Sequence, residues 1–164
     1  MALYGEIAGA YRSPGRAFRR QLAAGRREDR ALFYLMLACG LIFVAQIPRL
    51  AHEANHGTAA PMEALMAGAL LGWLVLAPLG LYLLAALSHM IARMMGGGGS
   101  WYAARLALFW SLLAAAPLWL LYGLAAGFAG SGPALAIVGI AALAGFLFIW
   151  IGSLAEAELR LEGD

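Results

Sequence analysis

Hydrophobic positions in this chain run in unbroken blocks rather than alternating with polar ones. Four apolar stretches, residues 31–47, 64–92, 106–129 and 134–155, are separated by short breaks rich in polar residues or glycine. A helix needs about 20 apolar residues, in a range of roughly 17–25, to cross the hydrocarbon of a bilayer. The first stretch, Ala31–Ile47, meets the short limit and ends at Pro48-Arg49. The second is long enough to tilt or protrude. Runs without period-two alternation argue against strands, and an open sheet cannot satisfy its backbone in lipid. The pattern predicts an all-α membrane protein with a bundle of four transmembrane helices.

The residues ahead of the first block follow a different rule. Ser13-Pro14 reads as an N-cap with proline at the first helical position. Ala17, Phe18 and Leu22 then interleave with Arg16, Arg19 and Arg20, which sets an apolar stripe beside a basic one. Upstream, Leu3, Tyr4, Ile7 and Tyr11 recur at helical spacing. The bundle is therefore expected to be preceded by one or two amphipathic interfacial helices on an anionic membrane surface. The chain divides into a basic cytosolic or interfacial segment, 1–30, a transmembrane domain, 31–155, and a short cytosolic tail, 156–164.

Composition agrees with that division. The 164 residues are 63% hydrophobic and 12% charged, against about 25% charged in a soluble domain. Mean hydropathy is +0.79. All eleven Lys/Arg positions are arginine, and seven of them precede the first apolar run. That lead is too long and polar for a cleavable signal peptide, so the first span is expected to remain as an anchor. If both termini are cytosolic, ten of the eleven arginines lie inside and only Arg49 lies outside, as the positive-inside rule favours. The single Cys39 excludes an intrachain disulfide. Nucleic acid is not an expected partner.

Candidate chemistry is sparse. His52-Glu53-Ala54-Asn55-His56 fits H-E-x-x-H, in which two histidines on one helix face hold zinc and the glutamate acts as general base. Gly57 and Pro61 leave little room for such a helix. The third-ligand candidates are poor: Glu63 in the same short loop and His89 near the opposite membrane face. A solvated loop on the exported side is the expectation, with no metal, cofactor or catalytic residue. Gly96–Ser100, GGGGS, lacks the lysine of a phosphate-binding loop and reads as a flexible cytosolic turn. Trp101 and Tyr102 follow it as interfacial anchors, with Arg93 and Arg105 reaching the headgroups. Gly68 and Gly72 in the second span, and Gly123 and Gly127 in the third, form GxxxG faces suited to helix packing; Ala141 and Gly145 extend the theme. Pro78 and Pro117 fall mid-span and predict kinks. No acid or arginine is deep in a span, which argues against ion coupling. His89 beside Ser88 is the one ionisable candidate there, expected as an interfacial histidine bonded to a neighbour.

Several of these segments occur together in one known arrangement. Ser13–Leu22 (SPGRAFRRQL) precedes the first span, and Ala77–Tyr82 (APLGLY) lies in the second. Arg93–Arg105 (RMMGGGGSWYAAR) and Ala114–Leu118 (AAAPL) follow. An apolar span, a glycine-rich turn, Ser and a span with a central proline resemble the Yip-type membrane domain, the Ypt/Rab-interacting family and its bacterial relatives, over about Ser13 to Ala155. The resemblance implies a polytopic helical protein with a cytosolic N-terminal region and no catalytic residues. Family members often have five spans where this chain has four. The long acidic or proline-rich N-terminus of the eukaryotic branch is missing. Those departures point to a compact bacterial member of the cytoplasmic (inner) membrane.

The resulting expectation is a non-enzymatic polytopic membrane protein, a scaffold or accessory subunit acting through protein or lipid contacts. Arg16, Arg19, Arg20, Arg26 and Arg27 would meet anionic headgroups or a partner. The small-residue faces would serve intrachain packing first and a membrane-protein partner or homo-oligomer second. A small-solute transporter or channel component, resting on Pro78 and Pro117, is the alternative, and a zinc-dependent membrane protease the remote one.

Overall fold

A computed structural model describes residues 3–56, 60–130 and 132–159. Among the described residues the chain is helical and holds no strand. Two short helices, α1 (Leu3–Arg12) and α2 (Pro14–Ala23), form a hairpin. Then come α3 (Glu28–His56), α4 (Met62–Leu71), α5 (Ala77–Met94), α6 (Trp101–Ala114), α7 (Ala116–Ala129) and α8 (Pro133–Leu159). Three stretches are long and apolar enough to cross a membrane: Glu28–Asn55, Met62–Met94 and Pro133–Leu159. The bent pair α6–α7 makes four if it counts as one crossing.

The first and last spans run further than the hydropathy blocks indicate. Pro48 lies inside α3 instead of ending it. Proline removes one amide donor and bends a helix without having to stop it when neighbours support the turn. Here α7 packs along this part of α3. The sequence HEANH is therefore the C-terminal end of a helix, not the loop expected. At the other end, α8 continues past Ala155 to Leu159, so Glu156 and Glu158 belong to the helix rather than to a tail. Gly57, Thr58, Ala59, Ser131 and the tail from Arg160 lie outside the described residues.

The two mid-span prolines are accommodated differently. Before Pro78 the helix widens into a π turn, Gly72–Leu76, in which the Ala77 amide donates to Gly72 O five residues back. Met62–Met94 thereby stays one 33-residue span. Before Pro117 the helix breaks, and α6 and α7 meet at 44°. The Leu118 amide donates to Ala115 O at 3.0 Å. The carbonyl of Ala114, cut off from the next helix, accepts the Tyr11 hydroxyl at 2.8 Å instead.

The core centres on α6, which is buried from Tyr102 to Ala114 except for Arg105. Phe109, Trp110, Leu106, Leu108 and Leu113 fill it, with Phe18 from α2, Leu35 from α3 and Ile149 from α8. The second span is peripheral: only 6% of its most apolar window is buried.

Candidate functional site

The polar side chains gather at one end of the bundle, where α3 and α6 begin, α5 and α8 end, and the α1–α2 hairpin docks. His89 on α5 and Glu158 on α8 meet there, Nδ1 to Oε1 at 2.7 Å, and both are buried. The other carboxylate oxygen, Oε2, accepts the Gly99 amide at 3.1 Å, and the Glu158 carbonyl accepts the Gly98 amide at 3.0 Å. One residue of α8 thus holds both α5 and the glycine turn. The turn is a fixed, hydrogen-bonded strap, not the flexible linker its composition suggests. Gly96 needs its left-handed φ of +94°. A side chain on Gly99 would collide with the Ala157 carbonyl. Ser100 caps α6 by accepting the Ala103 amide at 3.2 Å. Trp101 stands edge-on to the His89 ring, centroids 4.5 Å apart.

The N-terminal hairpin closes this end from the side. Ala17, Phe18 and Gln21 of α2 are buried against α8 and α6. Gln21 is satisfied on both sides of its amide: it donates to Glu6 at 2.6 Å and accepts the Tyr34 hydroxyl at 2.8 Å. That one side chain links α1, α2 and α3. The Arg27 amide donates to the Tyr102 hydroxyl at 3.1 Å, and Arg105 pairs with Glu28 at 2.6 Å. Tyr102 and Arg105 act here as intramolecular ties, while Trp101 keeps half its surface exposed and Arg93 is exposed as well. Burial pushes the Tyr11 phenol above its ordinary value.

The apolar stripe of α2 therefore meets protein, where a surface helix would meet acyl chains. The five arginines singled out on charge occupy three settings. Arg19 pairs with Glu156 at 3.2 Å and Arg27 with Asp29 at 2.8 Å. The hydrogen bond and charge of Asp29 hold the Arg27 guanidinium above its usual value. Arg16 and Arg20 point outward and, with Arg12, line a cleft between α1 and α2. Arg26 lies beside Arg93 and Arg105 near the glycine turn.

The GxxxG pairs also divide. A side chain on Gly123 would collide with the Ala45 carbonyl, and one on Gly127 with Pro48, so this pair seats α7 directly on the α3 backbone. Gly145 faces Leu118 of α7. Gly68 and Gly72 have nothing within 4 Å, and Ala141 is exposed; these three do not pack helices within the chain.

At the far end, Glu53 pairs with Arg49 at 2.9 Å, and Arg49 also donates to Gln46. His52 packs beside Gly130, the turn that leaves α7 with φ +62°. Among the described residues, no group of three or more His, Cys, Asp or Glu could hold a metal ion. The side chain of His56 lies outside that set.

Charge reading missed Glu158, Glu156, Gln21 and Tyr11. A signal for the glutamates was present: Ile149, Ser153 and Ala157 recur at four-residue spacing on one buried face, which carries α8 past its hydropathy limit. These features define a helical protein compatible with membrane embedding, most of its polar contacts at one end and a smaller set around Arg49 at the other. No family model, curated protein or solved structure matches the chain. The Yip-type resemblance rests on its quoted motifs alone.

Proposed function

We propose that this chain is a non-enzymatic polytopic membrane protein with four crossings and both termini cytosolic. In this reading it resides in a bacterial cytoplasmic membrane. It acts as a scaffold or accessory subunit through protein or lipid contacts at its basic end. The supporting observation is the division of α2: Phe18 and Ala17 are spent on the protein's own core while Arg16 and Arg20 remain exposed. A basic face held rigidly on a charge-poor bundle suits recognition of anionic groups better than turnover.

The transporter alternative needs a hydrated path beside Pro78 and Pro117. Near the Pro117 break, Phe109, Trp110 and Leu113 are nearly or fully buried in an apolar cluster, which favours the contact reading. The protease alternative is disfavoured by the engagement of Glu53 with Arg49. The test is purification from native membranes in mild detergent, followed by mass spectrometry of retained lipids and proteins. Enrichment of an anionic lipid or a stoichiometric membrane-protein partner is expected. A lone monomer stripped of both would remove this reading.

A further inference from the structure

The α1–α2 hairpin encloses a cleft of about 180 Å³ lined by Glu6, Gly9, Arg12, Ser13, Arg16, Ala17 and Arg20. Three guanidinium groups and one carboxylate face it, a local excess of two positive charges. Glu6 is already engaged, because its Oε2 accepts the Gln21 amide at 2.6 Å. Arg12, Arg16 and Arg20 have no ion pair among the described residues, whereas Arg19, Arg27 and Arg105 each have one. Three neighbouring arginines facing a single carboxylate leave an uncompensated positive charge, and a planar fork of N–H donors is suited to phosphate oxygens.

The position of the cleft indicates which phosphate. α8 has 27 residues, about 40 Å at 1.5 Å per residue, against roughly 30 Å of hydrocarbon. Standing upright, the helix exceeds the hydrocarbon by about 10 Å, and its charged residues, Glu156 and Glu158, put that excess at its C-terminal end. The hairpin docks along that length: Pro14 touches Gly152, Arg19 pairs with Glu156, and the glycine turn closes on Ala157 and Glu158. The hairpin that forms the cleft meets α8 at Gly152 and Glu156, in its last two turns, which the membrane reading sets at headgroup depth.

Resting on the membrane reading above, we propose that this cleft binds the phosphate of an anionic phospholipid headgroup through Arg12, Arg16 and Arg20, with the Ser13 hydroxyl as a further donor. The binding group is a lipid phosphate rather than free phosphate. Arg19 and Arg27 take no part.

The test uses the full chain in detergent, with phosphatidylglycerol, phosphatidic acid or phosphatidylcholine added and bound lipid counted by native mass spectrometry. The wild type should retain one anionic lipid in preference to phosphatidylcholine. At the worth of a basic side chain near a charged surface, each single Arg→Gln change should weaken retention about fivefold, and the triple variant R12Q/R16Q/R20Q about 100-fold. Arg49→Gln, at the far end of the bundle, is the control and should retain lipid as the wild type does. Gly9→Glu keeps every arginine, and the space beside Gly9 is open; its carboxylate should occupy the cleft and displace the lipid. Circular dichroism and a monodisperse elution profile check that each variant folds. Equal retention by wild type and triple variant would overturn the cleft while leaving a lipid-binding role elsewhere on the basic end. Displacement of the lipid by millimolar inorganic phosphate would overturn the lipid assignment in favour of a soluble phosphate. A wild type that prefers no anionic lipid would overturn the cleft, and the broader reading would then stand only on a protein partner.

Discussion

At the scale of single residues, Glu158 carries more than any other side chain described. It bonds His89 and Gly99 through its two carboxylate oxygens and Gly98 through its carbonyl. Removing the carboxylate leaves a buried imidazole nitrogen without its partner and a backbone amide without its acceptor, each a desolvation cost that folding must absorb. Glu158→Ala should destabilise the protein by about 2–4 kcal/mol, read as a drop in melting temperature in detergent. The Gly98 and Gly99 amides should also exchange with deuterium faster. An unchanged melting point would mean the turn holds itself. His89 was visible in the sequence because a histidine in an apolar span is conspicuous. Its partner was hidden because Glu158 sits 69 positions away, and a glutamate near a helix end normally reads as solvated.

Helices make the second scale, and there the small-residue motifs separate by their surroundings. Gly123 and Gly127 lie against the α3 backbone at Ala45 and Pro48, while Gly68 and Gly72 meet open space. Gly123→Leu or Gly127→Leu should cost at least about 1–3 kcal/mol through overpacking and lower the yield of folded protein. Gly68→Leu and Gly72→Leu should leave the monomer intact. Fluorescence-detected size-exclusion chromatography after heating distinguishes the two pairs, and equal losses at both would contradict the packing described. The four stretches of apolar sequence located helices well, because burial in lipid or protein demands apolar residues either way. They could not locate the ends of α3 and α8. Those ends depend on neighbours: α7 supports α3 through Pro48, and the hairpin supports α8 through Glu156. The prolines were legible as perturbations, but not that one would give a π turn and the other a 44° break.

For the whole molecule, the geometry brings the α5–α6 turn and the end of α8 to one face and the α7–α8 turn to the other. Single cysteines in a Cys39→Ser background test this in intact membranes. Met95→Cys and Leu159→Cys, at positions 84% and 78% exposed, should react with an impermeant maleimide from one side only. Gly132→Cys, where a side chain meets open space, should react from the other. Labelling of all three from one side would reduce the number of crossings. Arginine counting predicts which face is cytosolic, since charge bias is a property of whole loops, and the labelling reads that prediction directly. It could not anticipate that the basic segment folds back onto the bundle, because the apolar stripe of α2 suits lipid and protein alike.

The bond from Tyr11 to Ala114 spans 103 positions, and it has a consequence for biogenesis. Residues 3–23 leave the ribosome well before α6 and α8, which carry the surfaces that receive them. Until then the hairpin lacks its seat, and the Ala114 carbonyl lacks the hydroxyl that compensates for the helix break. The hairpin, synthesised ahead of its seat, is therefore among the last of these elements to reach its final position. A truncation ending before Pro133 should insert its earlier spans but leave the N-terminal hairpin open to protease.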